Sequence, residues 1–203
     1  MPTKKAVYET LDLKCSYKTL AVSLNRWYHL GIIILILIMK INRNFQHIIK
    51  HLNSTDIPVC LFKNANSHKT MKGLASFGRS SKGTYFGLKM HIIVDYRRQL
   101  LAITFTSANV DDRKVVIRLS KDLMGLFIAD AGYISKKLSG EFYIEHKRIL
   151  LAKPKKNMKK IMTKFEELLY QTRMLIELNF RSMKMFYNLI TSMPRSIDGY
   201  FAN

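Results

Sequence analysis

Leu126-Phe127-Ile128-Ala129-Asp130-Ala131-Gly132-Tyr133 is the stretch on which the reading of this chain turns. Four apolar residues end on an acid, and a glycine two places on lets the backbone turn sharply. The run is too short for a helix and reads as a buried strand with Asp130 at its carboxyl end. An acid in that position must be paired, hydrogen-bonded or metal-bound, because burying a bare charge is costly. The plainer reading makes Asp130 a cap for a helix over residues 133–147.

Working outward, Ser135 to Lys147 predicts a helix, and Arg148 to Ala152 a strand that Lys153-Pro154-Lys155-Lys156 stops. One long helix is expected from about Met158 to Ile190, with Pro194 at or just after its end. Upstream, Phe86 to Val94 alternates apolar and polar side chains, Asp95-Tyr96-Arg97-Arg98 is a turn, and Leu100 to Thr106 alternates again. That is the signature of an antiparallel hairpin. Asn109-Val110-Asp111-Asp112 reads as a helix start whose acids cap free N–H groups, with the helix running from Arg113 to Met124. Ile57 to Phe62 is a short β-prone run broken by Pro58. Residues 63–84, rich in Gly, Ser and Lys, read as a mobile loop. Residues 1–50 read as helical or irregular. The order predicts an α/β fold with one mixed sheet flanked by helices.

Length and composition support a folded domain. The 203 residues are 48% hydrophobic, enough for a real core. Lys and Arg number 34 against 14 Asp and Glu, a formal charge of +20. A surplus of that size points to a polyanionic partner, nucleic acid above all. Cys15 and Cys60 form neither a disulfide framework nor a zinc pattern, which suits a reducing, cytoplasmic setting. The run Gly31 to Met39 is shorter than the ~20 apolar residues of a membrane span, so no membrane partner is expected. It reads as a buried helix or strand, with an interfacial segment as the second reading and a degraded reading frame as the third.

The predicted long helix carries the other informative acid. Arg173, Glu177, Arg181 and Lys184 follow at spacings that share one face, with Tyr170 one turn further back. The bland reading is a solvated salt-bridge ladder. The sharper one is a metal-ligating carboxylate among phosphate-binding cations. Phosphodiester cleavage is commonly run by two divalent ions about 4 Å apart, held by a few acids at strand ends and on a nearby helix.

Tyr170-x2-Arg173-x3-Glu177-x6-Lys184 matches at every spacing the signature of bacterial insertion-sequence transposases with an Asp-Asp-Glu active site. Asp130-Ala131-Gly132-Tyr133 resembles their second-aspartate motif. Ser54 to Cys60, Lys72-Gly73-Leu74-Ala75, Phe86 to His91 and Ala108 to Arg113 resemble the same core, so the likeness spans roughly residues 52–203. It implies an RNase H-like fold and two-metal DNA strand cleavage and transfer with Mg²⁺ or Mn²⁺. It divides the chain into a degraded or truncated N-terminal helical segment, 1–51, and a catalytic domain, 52–203, shortened at its C-terminus. Asp130 becomes the second catalytic acid and Glu177 the third, both metal ligands. Arg173 and Lys184, with Arg181, Lys155 and Lys156, are expected on DNA. Double-stranded DNA, as transposon ends and target, is the implied partner. A homodimer would pair two ends, and a bacterial, nucleoid-associated location follows.

The first acid is where the chain departs from the pattern. The family has Asp directly before Ser-Thr, and here Leu52-Asn53-Ser54-Thr55 stands. Asn53 keeps an oxygen but loses the charge, which implies weak or absent catalysis, a pseudoenzyme. Asp56 is a poor substitute because i and i+3 on a strand point to opposite faces. The stretch Gly73 to Ser80 nearly spells a phosphate loop but has Arg79 where Lys is needed. His91 reads as a satisfied core or DNA-facing residue, and the six histidines show no ligand spacing.

Overall fold

The computed structural model describes residues 8–9, 14–144, 147–154, 158, 161–185, 189 and 196–202. Two helices come first, α1 (Tyr17–Arg26) and α2 (Tyr28–Asn44), bent at 64° to one another. The strands are β1 (Ile49–Pro58), β2 (Ser76–Ser80), β3 (Gly83–Asp95), β4 (Leu100–Ser107), β5 (Gly125–Ala129) and β6 (Arg148–Ala152). The remaining helices are α3 (Arg113–Leu119), α4 (Lys136–Ile144), α5 (Lys164–Gln171), α6 (Met174–Met185) and α7 (Ile197–Phe201).

The sheet runs β4-β3-β1-β5-β6. β1, β3 and β4 form an antiparallel meander, while β5 and β6 continue parallel to β1. β2 pairs with the first residues of β3, on the edge that β4 takes further along. This is an RNase H-like arrangement, a mixed sheet flanked by helices, with β2 as its sixth strand. The parallel strands need a crossover, and α4 supplies it between β5 and β6.

Alternation along β1 sorts the core into two layers. Leu52 turns to one face and joins Ile93, Phe127 and Ala129 with Val115, Val116 and Leu119 of α3 and Leu138 and Phe142 of α4. Ile57 turns to the other face and joins Met90, Ile92 and Val94 under Ile176 and Phe180 of α6. Each such side chain taken out of water contributes about 1.5–3 kcal/mol. β1 is close-packed on β3. A Cβ at Gly87 would stand 2.1 Å from the Ile57 carbonyl oxygen, so only glycine fits there.

Several expectations are corrected. The first strand covers Ile49–Pro58 and does not run Ile57 to Phe62; paired on both edges, its polar residues are set by the ladder and not by propensity. The stretch read as a mobile loop holds a 3₁₀ turn (Phe62–Ser67) and strand β2, resting on a small core of Val59, Cys60, Ala65 and Met71. α3 stops at Leu119, where Ser120 turns its hydroxyl back onto the Val116 carbonyl at 2.8 Å. The predicted long helix is two helices, broken at Thr172–Arg173. The run 31–39 is helical but not buried, for no residue of α2 is buried. α2 is fastened near its C-terminal end, where Asn42 Nδ2 donates to the Leu100 carbonyl at 2.9 Å and Arg43 Nε to that of Leu101 at 2.8 Å. Among the described residues no single helix is long and apolar enough to cross a membrane.

Candidate functional site

The β1–β5 ladder pairs Ile49 with Leu126, Lys50 with Phe127 and His51 with Ile128. The same register carried two places on sets Asn53 beside Asp130, just past the end of β5. Alternation puts both on the α6 side of the sheet, the face that also carries Ile57. A junction of two parallel strands thus brings together an amide and a carboxylate some 77 positions apart in the chain (130 − 53).

Asp130 is held by the turn that follows it. Its Oδ1 accepts from the Ala131 N–H at 2.7 Å and from the Tyr170 hydroxyl at 3.3 Å. Burial raises the Tyr170 phenol above its ordinary range, and the nearby Asp130 adds to the rise, so Tyr170 stays a donor at neutral pH. Lys153 Nζ and the Arg173 guanidinium lie 5.6 and 5.7 Å from the Tyr170 ring centre, within cation–π range. Arg173 in turn pairs with Glu177, which keeps 54% of its side chain exposed. Asp130, Tyr170, Arg173 and Glu177 therefore form one continuous chain of contacts. Lys153, Tyr170, Arg173, Met174 and Glu177 line an open groove of about 770 Å³.

The break between α5 and α6 has a physical cause. Thr172 donates its hydroxyl to the Leu169 carbonyl at 2.6 Å, a side-chain bond that competes with the helical ladder. With that proton spent, Thr172 Oγ1 accepts from His51 Nε2 at 2.8 Å. His51 is fully buried on β1. Burial, helped by nearby Arg173 and opposed by Asp95, pushes its pKa down to about 4. A neutral histidine thus pins the helix break to the central strand, two residues before Asn53.

The remaining predicted residues divide. Lys184 reaches Asp56 Oδ1 at 3.6 Å on β1, and burial lowers its pKa. Asp56 is committed to that pair. Arg181 spends its Nε on Met185 Sδ at 3.4 Å and lies outside the contact chain. Gly132 lines a second groove, with Phe77, Arg79 and Lys89. Tyr133 is buried in the core, its phenol pushed up by burial. Lys155 and Lys156 lie outside the described residues.

Two features were not legible in the chain. One is the His51–Thr172 pair, since a histidine within a strand gives no hint of its partner. The other is the role of Asp112. Read as a helix cap, it makes no cap bond; Asp111 accepts from the Arg113 N–H at 2.9 Å instead. Asp112 accepts from Ser54 Oγ at 2.9 Å and pairs with Lys89 at 2.8 Å, tying α3 to β1 and β3.

Two divalent ions ask for several hard anionic oxygens at one point. Asn53 is neutral, with its Oδ1 accepting from the Ser54 N–H at 2.9 Å, and Glu177 is engaged by Arg173. Among the described residues no three His, Cys, Asp or Glu side chains converge on one point. The residues at this site do not fit a two-ion centre.

Comparison with known proteins adds one finding. A family model described as a transposase DDE domain matches residues 43–197, more than half of the chain. No curated protein and no solved structure gives a match.

Proposed function

The chain belongs to the transposase DDE-domain family, and from that premise we propose that it binds double-stranded DNA while its strand-cleaving chemistry is impaired. The single observation that carries the second half is the register that sets Asn53, and no carboxylate, beside Asp130. In an intact site an acid at each place would hold divalent ions, whose chemistry is to activate the attacking oxygen and steady the leaving one. Here Asp130 keeps its turn and its Tyr170 hydrogen bond, and Glu177 keeps its arginine, but the set is one negative charge short.

DNA binding rests on different residues. The groove beside Asp130 offers Lys153 and Arg173 to a phosphodiester backbone, and the charge of +20 draws a polyanion from any direction. Transposon ends and target would be the DNA bound, and a second copy of the chain would pair two ends.

The test compares the native chain with Asn53→Asp on duplex DNA from the regions flanking its coding sequence, with Mg²⁺ or Mn²⁺ present. The expected result is no measurable cleavage by the native chain and a gain of about a thousandfold on restoring the acid, the scale of several kcal/mol of transition-state stabilisation. A native chain that already cuts, with no gain from Asn53→Asp, overturns the assignment of residue 53. Full duplex binding by a chain that neither form can make cleave would favour a DNA-binding remnant without chemistry.

A further inference from the structure

Between Asp56 and Asp95 the chain carries no acid and six cations: Lys63, Lys69, Lys72, Arg79, Lys82 and Lys89. This stretch builds the hairpin of β2 and the start of β3 together with the 3₁₀ turn before it. It is also where two phenylalanine rings are left in the open. Phe62 is 57% exposed and Phe77 46% exposed, with ring centres 6.0 Å apart. Phe77 is seated edge-on against Phe86 at 5.1 Å, and Val59, Cys60, Ala65 and Met71 form the floor beneath. The rings are thus presented by a packed support.

From Phe77 a groove of about 590 Å³ runs along the sheet past Arg79, Thr84 and Lys89 to Gly132, two residues beyond Asp130. The two acids on its wall are already neutralised: Asp111 pairs with Arg113, and Asp112 with Lys89. Gly78 lets β2 lie close enough to form the wall, since a Cβ there would meet Ala108 Cβ at 2.6 Å.

We propose that this hairpin is a stacking platform for unpaired DNA, which seats a base on Phe77 or Phe62 and leads the strand along the groove to the Asp130 turn. The proposal rests on the DNA-binding reading above and adds the form of DNA. Cations alone would serve a duplex, whose base faces are covered by their neighbours. Exposed rings among cations, with no acid in the stretch, fit bases whose faces are free, because every base offers a π-face and the backbone supplies the charge. The hairpin rests on its own small core of Val59, Cys60, Ala65 and Met71.

The experiment measures binding of the full chain to a labelled 15-nucleotide oligo-dT and to a blunt duplex of equal length by fluorescence anisotropy, at about 100 mM salt, within a Debye length of about 10 Å. Phe77→Leu keeps apolar bulk against Phe86 and removes the ring; Phe62→Ala removes the second. Each is expected to weaken oligo-dT binding by about tenfold or more and to leave duplex binding within about threefold. Phe77→Trp is expected to bind oligo-dT as the native chain does, and Arg79→Gln to weaken both forms. A native melting temperature in each variant shows that the hairpin is intact. Unchanged oligo-dT binding by Phe77→Leu and Phe62→Ala overturns the platform and leaves duplex binding standing. Failure of the native chain to bind either DNA overturns the DNA-binding reading itself.

Discussion

Restoring a carboxylate at residue 53 would act on stability as well as on chemistry. An Asp placed in register with Asp130 sets two negative charges on one face of neighbouring strands. Like charges on neighbouring strand ends are destabilising, on the order of 1 kcal/mol without a cation between them. Asn53→Asp is therefore expected to melt lower than the native chain in EDTA and to regain that loss when Mg²⁺ or Mn²⁺ is added, because an ion that binds only the folded state stabilises it. The native chain is expected to show little metal-dependent shift in the same scan. Equal metal shifts in both forms would mean that residue 53 does not face the ion. A second single-residue test lies across the same strand. Gly87→Ala would drive a methyl to within 2.1 Å of the Ile57 carbonyl oxygen, backbone against backbone. The expected loss is about 3 kcal/mol or more, read from urea unfolding.

At the scale of elements, the break at Thr172–Arg173 orients the site, because Tyr170 sits on α5 and Glu177 on α6. Thr172→Val would leave buried His51 without its acceptor and release the Leu169 carbonyl. It is expected to lower stability by about 1–3 kcal/mol in denaturant titrations, with a smaller effect from Thr172→Ser, which retains the hydroxyl. The two central strands also set a pH response. His51 on β1 and His91 on β3 are both pushed down to about 4, chiefly by burial. Their unfolded counterparts take up protons near 6.5, so the unfolded state binds more protons between about pH 6.5 and 4. Stability is then full above about pH 6.5 and falls as the pH drops through that window. His51→Gln is expected to flatten the slope of melting temperature against pH, and an unchanged slope would remove His51 from the account. These same elements mark how far the chain could be read. The hairpin, β5, β6 and the placing of Asp130 at a strand end were legible, because short apolar runs and alternation report burial directly. β1 was not, since Lys50, His51 and Asn53 are polar and become a strand only when β3 and β5 pair with them. The α5–α6 break was not, because the threonine that makes it is held by a histidine 121 positions away. β2 was hidden for a like reason, being short, polar on its face and supported by a small core of its own.

For the whole molecule, the charge is a property that does not depend on which residue stands at position 53. A folded chain at +20 repels itself, and it gains most from a partner that carries dense negative charge. The cations are spread over several surfaces: Lys153 and Arg173 in the groove beside Tyr170, Arg79 along the second groove, and the lysines of the acid-free stretch between Asp56 and Asp95. A backbone lying across these surfaces would contact several phosphates at once, and each contact releases a condensed counterion. The dissociation constant for duplex DNA is therefore expected to rise steeply with salt. About six phosphate contacts would weaken binding about a thousandfold between roughly 50 and 200 mM monovalent salt. If, as proposed, binding and cleavage rest on different residues, this slope should be the same for the native chain and for Asn53→Asp, apart from a small decrease for the added negative charge. Arg173→Gln should reduce the slope by about one contact. Anisotropy titrations across four or five salt concentrations measure all three. A flat slope in the native chain would show that the positive charge is not spent on phosphates, whatever residue 53 does.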